Sequence, residues 1–174
     1  LYSELGNSYS PHWSPNQERL AFLSNNSGST QIHMYWFKSG ETRAITQLQE
    51  SPSSLSWSPD GKWIAFTMNV KAKSNAIVES REKPEGASWA EKPITVTTTR
   101  YQYDGRGIVE PSHRHIFVVP AEGGSARQLT TGNFNHYGPL SWSSDSESIF
   151  FSAYRSDDWE PVSYTHLRAH ETLS

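Results

Sequence analysis

The sequence predicts an all-β protein built from tandem four-stranded antiparallel sheets, and the main observation is a hairpin that recurs in phase. The most complete copy, residues 56–66, reads SWSPDGKWIAF, and weaker copies occupy residues 13–22 and 142–151. In each copy a tryptophan precedes an aliphatic residue by seven positions and a phenylalanine by nine. Hairpins repeated in a fixed phase are typical of repeat proteins.

The turn of this hairpin has a clear chemical basis. Pro59 presets φ, Asp60 can hydrogen-bond locally, and Gly61 can adopt a positive φ. The residues that follow, 63–68, are apolar and β-prone, as expected for a strand packed on both faces. The copy at residues 13–22 has Gln17 at the position of Gly61, which would cost roughly 1 kcal/mol if this position is left-handed.

A second half-repeat follows each complete hairpin. Residues 32–46 align without gaps on residues 116–130, and each segment predicts a strand, a glycine-centred turn and another strand. The distance from Trp13 to Trp57 makes the unit 44 residues long. Four short strands in a unit of this length are typical of a β-propeller blade.

The repeat predicts a partial β-propeller of about two and a half blades over residues 1–161. Because a propeller usually has four to eight blades, the chain is expected to be a fragment of a larger ring. We expect blade one at about 11–46, blade two at about 55–130 and the start of blade three at 139–161. The strands of blade one are expected near 11–13, 19–24, 31–37 and 42–46.

Blade two carries an insertion. Nineteen residues separate Trp13 from Ile32, whereas 59 separate Trp57 from Ile116, so about 40 extra residues lie at about 69–112. The lysine-, serine- and glutamate-rich part before residue 93 predicts a mobile surface loop. Alternation over residues 94–103 predicts an extra strand that ends in a turn at 104–107.

The last residues do not continue the repeat. Residues 162–174 lack the apolar run and the glycine turn of a third strand. They are similar to read-through into adaptor sequence, so we predict a non-native tail and exclude it from the fold.

Composition excludes several classes of function. The formal net charge is −3 with dispersed basic residues, which gives no footprint for nucleic acid. No apolar stretch approaches the length of a membrane span. The absence of cysteine excludes disulfides and thiolate zinc sites and is compatible with cytoplasm or periplasm, so the compartment stays undetermined. No motif predicts a cofactor.

Three stretches carry a resemblance to a known family. Residues 57–66, 115–130 and 152–155 resemble the N-terminal propeller of prolyl oligopeptidase family serine peptidases, in the dipeptidyl aminopeptidase and acylaminoacyl peptidase branch. The inserted segment RYQYDGRG at 100–107 is similar to the Arg-Tyr and Asp-Gly-x-Gly turn in the inserts of that branch. The blade repeat alone looks equally like the periplasmic TolB propeller.

The resemblance implies a propeller that caps a C-terminal α/β-hydrolase domain, with peptides cleaved in the cavity between the two. Catalysis in that family uses a Ser-His-Asp triad with the serine in Gly-x-Ser-x-Gly. That motif is absent from the 174 residues, so no catalytic residue is assigned. The alternative is a TolB-like scaffold that binds proteins without enzymatic activity, and a sugar-binding propeller is a weaker third hypothesis.

The candidate contact residues lie in the insertion. Tyr101, Tyr103, Asp104 and Arg106 could reach the domain interface and touch substrate, or could simply extend the blade. The acidic cluster at 157–160 could bind a substrate amine, although a solvated loop is the simpler interpretation.

Other conspicuous side chains have structural interpretations. The three repeat tryptophans, Trp13, Trp57 and Trp142, predict packing between blades rather than a ligand cage. Asp60 and Asp145 predict turns rather than calcium sites. A metal site of His113, His115 and His136 would need His136 close to the other two, which no pattern indicates, so strand or surface roles are expected. His166 and His170 have the helical spacing of zinc ligands but lie in the excluded tail.

Overall fold

The computed structural model describes residues 6–26, 28–71, 102–103, 107–108, 112–153, 155 and 167–172. Within these ranges every regular element is a strand, which confirms the predicted all-β class. The described residues also contain no helix long and apolar enough to cross a bilayer.

Blade one is a four-stranded antiparallel sheet with its strands in chain order. The strands are β1 (Ser8–Trp13), β2 (Arg19–Ser24), β3 (Gln31–Trp36) and β4 (Glu41–Ala44). The three connections are short, so each strand pairs with its sequence neighbour.

Blade two has the same architecture but its strands come from two distant segments. They are β5 (Pro52–Trp57), β6 (Trp63–Lys71), β9 (Ser112–Pro120) and β10 (Arg127–Gln128), in the spatial order β10-β9-β6-β5. The insertion therefore separates the second and third strands of the blade. It forms a second compact unit over Lys71–Ser112, in which β7 (Gln102–Tyr103) pairs with β8 (Gly107–Ile108).

Blade three contains β11 (His136–Trp142), β12 (Ser148–Ala153) and β13 (Leu167–Thr172). The exclusion of residues 162–174 from the fold differs from this structure, because β13 pairs with β12 along its whole length. Backbone N–H and C=O groups at the edge of a sheet can pair with an extended segment whatever its side chains, so this pairing does not require a repeat-like sequence in β13. The non-native origin of this segment stays a prediction.

The first strand of each blade begins three residues before the predicted boundary. The predictions began blades one and two at Pro11 and Leu55, but pairing starts at Ser8 and Pro52. A bulge interrupts each register, with Ser10 and Ser54 in the left-handed region at φ 55°. An extra residue in one strand lets pairing continue on both sides of the bulge. A prediction that assumes strict alternation of residues does not detect this and begins the strand too late.

The three repeat turns share one hydrogen-bond pattern. In blade two the buried Ser58 hydroxyl donates to Asp60 and accepts the amide of Trp63, while Asp60 also accepts the amide of Lys62. Asn16 and Asp145 take the place of Asp60 in the other two turns. These contacts confirm that the aspartates are turn formers.

The fourth residue after each tryptophan is left-handed. Gln17, Gly61 and Ser146 have φ values of 57°, 69° and 64°. Only glycine adopts this conformation without steric cost. The strain predicted at Gln17 is therefore present.

A reciprocal exchange tests this strain. Gly61→Gln is expected to lower the free energy of unfolding by about 1 kcal/mol, because the nearest neighbours of an added Cβ lie 3.8 Å away and only φ is unfavourable. Gln17→Gly is expected to raise it by less than about 1 kcal/mol, since glycine also gives the unfolded chain more freedom. Urea unfolding measures both, and equal, negligible effects would contradict the assignment.

Two hydrophobic cores fill the spaces between the blades. The first joins blades one and two through residues that include Leu23, Met34, Ile64 and Phe66. The second joins blades two and three through residues that include Ile116, Val118, Ile149 and Phe151. Each blade thus buries one face against the next, as stacked repeats require.

Candidate functional site

The residues predicted to contact substrate lie almost entirely outside the described part of the chain. Tyr101, Asp104 and Arg106 are outside it, and only the backbone of Tyr103 is described, as the second residue of β7. The acidic cluster at 157–160 is outside it as well. The hypotheses on these residues are therefore left as predictions.

Two of the three repeat tryptophans, Trp57 and Trp142, connect successive blades as the sequence predicts, whereas Trp13 is 56% exposed and stacks on Phe37 of its own blade. Trp57 Nε1 donates to the carbonyl of His12 at 3.0 Å, and Trp142 Nε1 donates to the carbonyl of Ser56 at 3.2 Å. In both cases the acceptor is the residue just before the tryptophan of the preceding blade. The same contact thus fixes the relative position of two consecutive pairs of blades.

A surface cleft of about 500 Å³ lies beside the first of these junctions, and Arg19 is one of the residues that line it. Arg19 Nη1 lies 2.6 Å from Glu122 Oε1, and Nη2 donates to the Gly61 carbonyl at 3.0 Å. The guanidinium also stacks over Trp57, 5.3 Å from the ring centroid. Because its charge is matched by Glu122, Arg19 acts as a clamp between blades one and two.

Two buried histidines meet at the junction of blades two and three. The rings of His115 on β9 and His136 on β11 lie 5.2 Å apart, and both residues are buried. No pattern in the sequence indicated this contact, and both histidines lie on strands, as expected. The two residues belong to different sheets, so their contact depends on blade stacking and not on any local spacing.

Hydrogen bonds define the tautomer of His136. Its Nδ1 lies 3.1 Å from the carbonyl oxygen of Arg114, which can only accept, so Nδ1 carries the hydrogen. Its Nε2 faces Arg155 Nη2 at 3.5 Å.

His115 occupies a position that is polar in blade one as well. Its Nδ1 lies 3.3 Å from the Thr130 hydroxyl, which also accepts the amide of Ile116. In blade one the Thr46 hydroxyl accepts the amide of Ile32 and donates to Gln31 in the same way. His115 therefore replaces Gln31 in a repeated strand contact, which favours the structural interpretation over a ligand site.

Burial makes His115 hard to protonate. Burial first, and then the nearby rings of His136 and His113, lower the pKa of His115 to about 4. Burial also lowers the pKa of His33 and of His12. At neutral pH the ring of His115 is therefore uncharged.

Among the described residues no three histidine, cysteine, aspartate or glutamate side chains are grouped so as to hold a metal ion. His113, His115 and His136 thus do not form a three-residue metal site. The pairing of His115 with His136 is what the sequence prediction missed. Extending the gapless alignment of 32–46 on 116–130 by one residue would have placed His115 opposite Gln31, but the alignment gives no signal for His136.

Comparison with known proteins gives an extended sequence match to a peptidase. The chain is 31% identical over 144 residues to "Uncharacterized peptidase YuxL" of Bacillus subtilis (strain 168), a match that covers 82% of the chain and 21% of the relative. It is 35% identical over 80 residues to "Tol-Pal system protein TolB" of Desulfosudis oleivorans, which covers 46% of the chain and 18% of the relative. No protein-family model matches the chain.

The fold has matches among solved structures. Acylaminoacyl peptidase of Pyrococcus horikoshii superposes with a TM-score of 0.58 at 12% identity, over 96% of this chain and 25% of that one. At this identity the likeness shows the fold alone. The chain spans only about a fifth of the length of the two relatives that it matches in sequence. The chain is a partial β-propeller similar to the propellers of prolyl oligopeptidase family peptidases.

Proposed function

We propose that the chain is the non-catalytic, substrate-gating part of a serine peptidase that acts on peptides. In this role the propeller forms a narrow entrance that admits peptides and excludes folded proteins. An α/β-hydrolase domain of the parent protein, C-terminal to the propeller, would supply the serine nucleophile. The similarity to a peptidase over 82% of the chain is the observation that carries this proposal.

The composition of the chain supports this separation of a gating propeller from a catalytic domain. Its 174 residues lack Gly-x-Ser-x-Gly, so the chemistry must come from elsewhere in the parent. The described polar clusters, around Arg19 and around His115, both join one blade to the next. Such contacts suit a rigid entrance better than a catalytic centre.

The insertion is the part of blade two that we propose for substrate contact. Tyr101, Tyr103, Asp104 and Arg106 are the proposed residues, since an insert in a blade can extend beyond the regular sheets. Two aromatic rings, a carboxylate and a guanidinium could bind a peptide chain and its charged end.

The first test is the activity of the chain alone and of the whole reading frame that contains it. The 174-residue chain is expected to show no peptide hydrolysis, whereas the whole protein should cleave short peptide amides through a serine in Gly-x-Ser-x-Gly. Substituting that serine with alanine should abolish turnover. Hydrolysis by the chain alone, or a reading frame that lacks the motif, would contradict the proposal.

The role of the insertion needs its own variants. In the whole protein, combined Tyr101→Ala, Tyr103→Ala and Arg106→Ala is expected to raise KM for a peptide several-fold while kcat on a minimal amide stays nearly unchanged. Tyr9→Ala in blade one is the matched control for loss of an exposed tyrosine. Equal effects of the two variants on KM would show that the insertion has no special role.

A protein-binding scaffold is the second candidate function. The 35% identity to TolB over 80 residues favours it, although that match covers less than half of the chain. A whole reading frame that contains further blades and no hydrolase domain would establish this alternative. It would also exclude the peptidase.

A further inference from the structure

The first strand of each blade pairs irregularly with the second. The pairings β1–β2, β5–β6 and β11–β12 each contain a register shift. No shift interrupts the registers of β2–β3, β3–β4 or β9–β10. The irregularity therefore belongs to one position of the repeat and not to the sheets in general.

Proline is concentrated in the same strands. Pro11, Pro52 and Pro139 lie in β1, β5 and β11, and among the described strands the remaining proline is Pro120, the last residue of β9. Proline cannot donate a main-chain hydrogen bond, so within sheets it is confined to edge strands, strand starts and bulges. Each first strand thus combines two features that disfavour further pairing.

The first strands are sheet edges that lie side by side. In all three blades the first strand is at one end of the strand order. β1 contacts β5, and β5 in turn contacts β11. Because the blades of a propeller surround a central channel, we infer that these edges line it, and we call the free edges of β1, β5 and β11 the inner edges.

An ordinary sheet edge is a template for another chain. Its unpaired N–H and C=O groups bind an extended segment unless bulges, prolines or charges prevent this. The bulge of blade two also reaches the next blade, since a Cβ added at Gly138 would lie 3.0 Å from Cβ and Oγ of Ser54. The bulged residue of one first strand therefore packs closely against the next first strand.

We propose that the inner edges are closed to strand addition, so that an extended peptide passes them without pairing its main chain. The inference rests on the proposed function, in which peptides enter through the propeller. Main-chain pairing with an edge strand supplies affinity for any extended peptide. An entrance with open inner edges would retain peptides, whereas closed edges leave selection to width and to side chains.

Disulfide trapping on the 174-residue chain tests the closure, because the chain has no native cysteine. The probe is a short peptide of alternating valine and threonine with one cysteine, a composition suited to strands. Ser51→Cys places a thiol at an exposed residue directly before β5. Glu41→Cys places one on β4, an exposed outer edge with an uninterrupted register.

The rate of labelling at each thiol is divided by the rate with a control peptide in which proline replaces every second residue. This ratio isolates main-chain pairing from the reactivity of the thiol itself. We expect the ratio to be several-fold higher at Glu41→Cys than at Ser51→Cys. Equal ratios at the two positions would overturn the proposal.

Opening the inner edge of blade two is the complementary test. In the Ser51→Cys chain, Pro52→Thr combined with deletion of Ser54 restores a donor and a regular strand, and should raise the ratio at residue 51 several-fold. Pro52→Thr alone is the milder variant if circular dichroism shows that the deletion disrupts the fold, and it should raise the ratio less. Pro120→Thr is the matched control, since β9 lies between β10 and β6, and should leave the ratio unchanged.

No rise in the folded opened variants, or an equal rise in Pro120→Thr, would show that the bulge and the proline do not close the edge. The trapping assay involves no hydrolysis, so its result is separate from that of the peptidase proposal. A reading frame without Gly-x-Ser-x-Gly would contradict the peptidase and leave the closure of the inner edges standing.

Discussion

Trp57→Ala is expected to lower the free energy of unfolding by about 3–5 kcal/mol, the usual cost of removing a large aromatic side chain from a packed site. The indole packs against the core between blades one and two and donates to the His12 carbonyl. Its removal would leave a cavity at the junction and a carbonyl without its donor. It would also remove the ring over which the Arg19 guanidinium lies.

Trp13→Ala is the matched control, because Trp13 has the same place in the repeat but is more than half exposed. We expect this variant to cost about 1 kcal/mol or less, mainly from the stacking on Phe37. Urea unfolding followed by circular dichroism measures both variants. Similar losses from the two substitutions would show that the tryptophans do not stabilise the junctions between blades.

Acid is expected to destabilise the junction between blades two and three by up to about 3 kcal/mol, at about 1.36 kcal/mol per unit of pKa shift. The pKa of His115 is about 4 in the folded chain and 6.5 in the unfolded one. Between these values the unfolded chain binds a proton that the folded chain does not. The contribution of His115 to the free energy of unfolding is therefore fully present above pH 6.5 and falls as the pH drops toward 4. Below pH 4 it no longer changes.

The pH dependence can be separated from other acid effects with a variant taken from blade one. His115→Gln introduces the residue that blade one has at the equivalent position, where Gln31 accepts a hydrogen bond from the Thr46 hydroxyl. The variant should keep most of its stability at pH 7 and lose much of the slope between pH 6.5 and 4. His33 and His12, whose pKa values are also lowered by burial, are expected to contribute to the remaining slope.

Urea midpoints at a series of pH values measure this slope. A slope that is unchanged in His115→Gln would show that protonation of His115 does not control acid stability. The reciprocal change, Gln31→His, is expected to steepen the slope, because it places a second buried imidazole at the corresponding position of blade one.

The repeat architecture could be predicted from sequence because it depends on local, periodic features. In each copy a tryptophan stands seven residues before an aliphatic residue, and a turn of the form Ser-Pro-Asn, Ser-Pro-Asp or Ser-Ser-Asp lies between them. This pattern was enough to place β2, β6 and β12. The same phase predicted that the tryptophans pack between blades, and Trp57 and Trp142 do so. The predicted strain at Gln17 likewise depends on one turn and its copies.

Contacts between blades were not predictable in detail. Arg19 meets Glu122 across 103 residues of sequence, and His136 meets His115 across 21. Both pairs join side chains from different sheets. Their contact depends on how far each sheet is rotated and shifted on its neighbour, which the alternation within a strand does not encode.

The sequence by itself therefore determined the all-β class, the repeating unit, the place of the insertion and the packing of Trp57 and Trp142 between blades. Only the tertiary structure decided which polar side chains meet at the junctions, where the first strands bulge and which segment pairs with β12. The physical reason is the range of the interactions. Turn chemistry and alternation act over a few residues, whereas the stacking of two sheets is set by all the side chains that fill the space between them.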